Sequence, residues 1–182
     1  MENDVYRQLL DVMTARGGEY AGADIPEFFE MAKVLFTPEE AEVNNAMPKE
    51  PVTAQQMAEI MDRDGEWVEK ILEAMADKGL CVGLDFGGTT VYKSARFMIG
   101  IFEFQFMPGR VTDRDKEIAR AIHNYKTAFN KIKPFDPDPK VSGIRVITID
   151  RTVNPQDEVH TYDQVKTYIE ENDQIAITAC YC

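Results

Sequence analysis

Helical periodicity through the first half of the chain, a glycine-centred pair of β-rich runs in its middle, and a strand–helix–strand pattern at its end predict an α+β protein, mostly helical. A chain of 182 residues is long enough for one medium domain with its own core, or for two small ones sharing an interface. With 20 Lys+Arg against 32 Asp+Glu, the formal charge is −12. That opposes nonspecific attraction to nucleic acid and to anionic membranes.

The elements follow in order. Val5, Leu9, Val12 and Met13 repeat at helical spacing over residues 2–16, and Gly17-Gly18 stops that helix. Pro26 opens a second helix at a first-turn position, with Phe28, Met31, Ala32 and Leu35 on one face, and Pro38 starts a third over roughly 38–46.

After Pro48 and Pro51, Thr53 and Gln56 have the spacing of a capping box, with Met57, Ile60 and Met61 expected inward. Asp62-Arg63-Asp64 is a turn, and Asp64 caps a helix carrying Trp67, Val68, Ile71, Leu72 and Met75 on one side, closed by Gly79. LCVGLDF and TTVYKSA flank Gly87-Gly88 as a hairpin. A helix, a turn, a second helix and a hairpin over about 52–95 predict a winged helix-turn-helix.

FMIGIFEFQFM (97–107) is the most apolar segment, and its period is ambiguous. Phe102, Phe104 and Phe106 alternate as in a strand, whereas Phe97, Ile101 and Phe104 share a helical face; a helix is expected, serving as a core or dimer contact. From Thr112 a long helix follows, with Ile118, Ile122, Tyr125, Phe129 and Ile132 stepping by four, three, four and three. It carries Arg114, Lys116, Arg120, Lys126, Lys131 and Lys133 against Asp113, Asp115 and Glu117. This is the net-basic element of an acidic chain: a solvated helix face or a docking surface for an acidic partner.

Residues 1–133 thus read as a helical region, 134–140 (PFDPDPK) as a proline-rich linker, and 141–182 as a β-α-β segment. In that segment IRVITID and QIAITACYC are the strands, and the helix begins near Tyr162 with Val165, Tyr168 and Ile169 inward. No run of apolar residues is long enough to span a bilayer, and MENDVYRQLL has no cationic-then-apolar leader; a cytoplasmic location is expected.

The three cysteines are Cys81, Cys180 and Cys182. An odd number with two crowded at the end does not read as a secreted disulfide framework. In a strand Cys180 and Cys182 point to one face, so they could share a metal or cluster; the alternative is a frayed terminus with two exposed thiols. A thiolate-held cluster needs a fuller ligand set. Cys81, at the start of a strand, reads as a small buried hydrophobe. His123 and His160 stand on separate elements and assemble no zinc motif or triad, and LDFGGTT lacks the Lys-Ser/Thr of a phosphate loop.

Taken together, the winged-helix segment 52–95, GIFEFQ at 100–105, RVITID and the closing ITACYC resemble a family of bacterial and archaeal 4Fe-4S ferredoxin-type proteins, in which an N-terminal winged-helix region precedes a cysteine-rich, cluster-binding half. In that family a strand running into Cys-x-Cys begins the cysteine array. The resemblance implies that Cys180 and Cys182 are the first cofactor-binding and metal-ligating residues of a 4Fe-4S cluster whose other ligands this chain lacks. No cluster is expected in this chain itself.

Residues 62–78 bear six acids against three bases, a net −3. A recognition helix of that charge repels phosphates, so a protein partner or a homodimer, together with a redox partner, is expected rather than DNA. The other reading is a dimeric winged-helix transcriptional regulator responsive to redox or metal. No catalytic residue is expected.

Overall fold

The computed structural model describes residues 2–133, 161–173, 175, 177 and 178. The described residues are α+β and mostly helical, and they fall into two units: one holds residues 2–133, and the other, Phe135–Thr178, contributes 161–173, 175, 177 and 178. The expected linker 134–140 and the strand 144–150 lie outside the described residues.

In the first unit, α1 (Glu2–Arg16), α2 (Pro26–Leu35) and α3 (Pro38–Ala46) form where the apolar spacing and the two prolines place them. Tyr6, Leu9, Leu10 and Met13 from α1 meet Phe28, Met31, Ala32 and Leu35 from α2 and Ala41 and Val43 from α3 in one buried core. Thr37 caps α3 in a full capping box with Glu40, whose side chain returns to the Thr37 N–H at 2.9 Å.

A two-residue strand β1 (Val52–Thr53) leads into α4 (Ala54–Met61), where Thr53 and Gln56 make the expected capping box. Asp62 ends α4 in the left-handed region, which Asp tolerates better than most residues, and the Asp64 side chain caps α5 (Gly65–Asp77) through the Trp67 N–H at 2.9 Å. Val68, Leu72 and Met75 are buried, while Trp67 and Ile71 are half-buried. On α4 the expected inward face is corrected: Met57 is buried and Met61 half-buried, but Ile60 is 53% exposed. An eight-residue helix has only two turns to bury, and Ile60 stands off their contact line with Met57 and Ala58.

Helix α5 closes with Gly79 at φ +71: the Leu80 N–H donates to Met75 O at 2.8 Å and the Gly79 N–H to Ala76 O at 2.9 Å, the paired bonds of a Schellman stop. Strands β2 (Cys81–Asp85) and β3 (Thr90–Ser94) then pair antiparallel, and β1 joins the far side of β3, giving the order β1-β3-β2. Gly87 and Gly88 both take positive φ, and Phe86 and Thr89 bond to each other across them, so the hairpin turns on two residues.

The expected helix over 97–107 is corrected to a single helical turn, α6 (Ile101–Phe104). Gly100 sits at φ +155, and the N–H groups of Ile101 and Phe102 donate back to Arg96 O at 2.9 Å and Phe97 O at 3.0 Å. The segment is a folded strap rather than a periodic element, so neither a period of two nor one of 3.6 describes it. Its aromatics belong to the monomer core: Phe97 and Phe102 are buried and stack at 5.1 Å between ring centroids.

Helix α7 (Asp113–Ile132), capped by Thr112 and Asp115, packs along α2 and places Tyr125 edge-on to Phe28 at 5.8 Å. Ile118, Ile122 and Tyr125 are buried and Phe129 half-buried, but Ile132, expected on the same face, is 59% exposed.

In the second unit, α8 (Tyr162–Glu170) starts at the expected residue behind a Thr161–Gln164 capping box. Its inward assignment is corrected. Val165, Tyr168 and Ile169 are 44%, 51% and 52% exposed. Periodicity says which residues share a face; it does not say that anything covers the face. Ile175, Ile177 and Thr178, the described residues of the expected final strand beyond Asp173, belong to no strand.

Candidate functional site

The functional residues expected at the end of the chain, Cys180 and Cys182, lie outside the described residues, as does His160. The described part of the chain offers one thiol. Cys81 is buried at the start of β2, donates a long sulfur hydrogen bond to Leu72 O at 3.8 Å, and is pushed up to about 12 by burial, helped by the nearby Glu40 charge. A neutral core thiol of this kind is neither nucleophile nor ligand. Among the described residues no group of three or more His, Cys, Asp or Glu side chains is placed to hold a metal ion. The described residues therefore do not fit an iron–sulfur cluster. His123 is exposed on α7.

What the fold does assemble is a charged face on α3, α4, α5 and the hairpin. Glu66, Glu69, Glu73 and Asp77 step by three, four and four along α5, and all four are exposed, so they form a ladder on the side opposite Val68, Leu72 and Met75. Tyr92, on β3, registers this field: its hydroxyl is shifted upward first by burial and then by Glu73 and Glu69, with Cys81 and Asp77 adding to it. Its ring is buried, which holds the sheet against the helix.

Of the three bases in this segment, two are already occupied by α3. Arg63 meets Glu42 at 2.7 Å and lies over the Trp67 ring at 5.8 Å, while Lys78 meets Glu40 at 2.5 Å. The second pair is the tighter constraint, since the Glu40 side chain is only 3% exposed and also completes the α3 cap. Lys70 and, on the hairpin, Lys93 remain exposed. Between α4 and α5 opens a groove of about 650 Å³ whose lining includes Ala54, Ala58, the acids Glu59, Asp62, Glu66 and Glu69, and one base, Arg63. The face can accept a cationic or apolar surface; it cannot present a cationic one.

Sequence reasoning missed Arg16. Its guanidinium donates to Asn44 Oδ1 at 2.9 Å, Asn44 O at 2.6 Å and Ala95 O at 3.5 Å, tying the end of α1 to the end of α3 and to the chain beyond β3. Burial pushes Arg16 down to about 10. A cation bonded to the final carbonyls of α3 stabilises that terminus. Nothing in its neighbourhood in the sequence distinguishes it from a surface arginine at a helix end.

Compared with protein-family models, with curated proteins and with solved structures, the chain matches none. Among the described residues no helix is long and apolar enough to cross a membrane.

Proposed function

We propose that this chain is the N-terminal protein-interaction and dimerisation module of a 4Fe-4S ferredoxin-type electron-transfer protein, with α3, β1, α4, α5 and the β2–β3 hairpin acting as a winged helix-turn-helix that contacts protein rather than DNA. The order of elements and the sheet order β1-β3-β2 support the winged-helix reading. The iron–sulfur part rests on the family resemblance, with Cys180 and Cys182 as first ligands of a cluster completed by cysteines that this chain, with three in all, does not supply.

The observation that carries the protein-contact reading is the state of α5. In a DNA-reading winged helix the second helix enters the major groove and its flanks attract phosphate. Here that helix bears the Glu66–Glu69–Glu73–Asp77 ladder, and the flanking bases Arg63 and Lys78 are held by Glu42 and Glu40. Phosphates approaching it meet four carboxylates with Lys70 as the one base on that helix to offset them.

Two measurements test the proposal. The 182-residue chain should purify without a visible iron–sulfur chromophore, whereas a polypeptide continuing past Cys182 into further cysteines should gain one on anaerobic reconstitution and lose much of it in Cys180→Ser or Cys182→Ser. The chain should also bind duplex DNA poorly at physiological salt. Submicromolar, steeply salt-dependent binding to a defined duplex would replace this reading with that of a transcriptional regulator.

A further inference from the structure

We infer that the outer face of α7 docks a carboxylate-rich surface of a partner protein, an assignment that rests on the protein-contact reading above and specifies one contact for it. Lys116, Arg120, His123, Thr127 and Lys131 step by four, three, four and four, so they share one stripe, and all five are exposed. The opposite side of the same helix is the buried Ile118–Ile122–Tyr125 face against α2. The stripe from Lys116 to Lys131 is about 22 Å long at the helical rise. Arg114, Lys126 and Lys133 flank it, so residues 112–133 hold six bases against three acids.

Those charges are largely uncommitted. Lys116 has an exposed partner one turn back, Asp113 at 3.0 Å. Arg120 donates only to Lys116 O, Arg114 only to Val34 O, and Lys126 and Lys133 lie over the Tyr20 and Phe129 rings. Among the described residues none of these four forms an ion pair with a carboxylate, although Arg114 is near enough to Asp115 to help lower it. On α7's α2 side the stripe is bordered by Glu30, Asp113 and Glu117 around a groove of about 440 Å³. A basic strip with acidic margins, on a chain of −12 overall, gives an acidic partner an attractive approach to this face.

The margins also favour protein over nucleic acid. A duplex laid on the strip also meets the acidic margin of Glu30, Asp113 and Glu117, whereas a compact patch of Asp and Glu side chains can be confined to the bases. Charge pairing at an exposed face of this kind steers and orients more than it tightens, so the contact is salt-sensitive and fast.

The test uses the whole chain and a fluorescently labelled glutamate-rich peptide long enough to cover the stripe, followed by anisotropy at low and physiological salt. The Lys116→Glu/Arg120→Glu/Lys131→Glu variant should bind roughly tenfold more weakly or worse, while Lys49→Glu/Lys70→Glu/Lys93→Glu, the same charge change at exposed positions on other elements, should stay within about twofold. Circular dichroism confirms that both variants keep their helices. Equal loss in the two variants, or no binding by the unaltered chain at low salt, would overturn the assignment, and so would a duplex competing through α7 as well as the peptide does. Equal loss in the two variants, or no peptide binding, leaves the chromophore and duplex results untouched, so failure of the α7 contact is distinguishable from failure of the wider reading, whereas a competing duplex would count against both.

Discussion

Two glycines with nearly the same backbone conformation allow one steric contact to be isolated. Gly17 has φ +68 and Gly79 φ +71, so replacing either with Ala forces a side chain into the left-handed region, at about 1 kcal/mol or somewhat more. A Cβ on Gly17 would meet nothing within 4 Å, whereas one on Gly79 would sit 2.5 Å from Phe104 Cβ and 3.3 Å from the Phe104 carbonyl carbon. Phe104 cannot simply withdraw. The next residue, Gln105, is 8% exposed and pinned by its Nε2 donating to Lys78 O at 2.6 Å, and Phe102 is locked in the aromatic stack with Phe97. Overpacking of this kind adds about 1–3 kcal/mol. We therefore expect Gly17→Ala to cost about 1 kcal/mol and Gly79→Ala about 2–4 kcal/mol in urea unfolding. Trp67, the only tryptophan, lies on α5 and makes its fluorescence a reporter of the first unit alone. Equal costs for the two substitutions would refute the claim that the strap after β3 is seated directly against the end of α5.

Cys81 should resist alkylation at mildly alkaline pH while the chain is folded and react on denaturation, as peptide-resolved mass spectrometry would read, because a thiol pushed up to about 12 has almost no thiolate there; rapid labelling of the native chain would mean that β2 opens readily. Asp115 is held below the usual carboxylate range, first by the Thr112 hydroxyl and then by the Thr112 N–H. A depressed folded value contributes stability above the unfolded carboxylate range and loses it as pH falls through the folded value. The melting-temperature gap between the unaltered chain and Asp115→Asn should therefore be widest near neutrality and narrow on acidification from about pH 4 downward. A gap independent of pH would assign the bond to geometry rather than charge.

What could be read from the sequence was the chemistry that acts over three or four residues. Thr53, Asp64 and Thr112 announce helix starts because their side-chain oxygens must bond N–H groups two or three positions on, and Gly79 announces a stop because few other residues accept its φ. The strap at 97–107 resisted because its order comes from a Gly100 conformation and from bonds reaching back five residues, neither of which leaves a period in the apolar pattern. The α8 face was misread for a different reason: an amphipathic helix is defined by its own residues, but burial requires a second surface that the spacing does not encode.

Counting acids and bases over 62–78 gives a net −3 and treats Arg63 and Lys78 as available. The fold commits both to α3 acids, across separations of 21 and 38 residues that no local reading anticipates. The exposed ladder on α5 is thus less compensated than its composition suggests, while on the α7 stripe, among the described residues, Lys116 meets Asp113 and Arg120 and Lys131 form no ion pair. In the first unit α7 packs on α2, α2 on α1, α1 on α3 and α3 on α5, so the basic α7 and the acidic α5 stand at the two ends of that series of contacts. The charge of the α7 stripe can therefore be reversed at Lys116, Arg120 and Lys131, all exposed, without disturbing a buried residue.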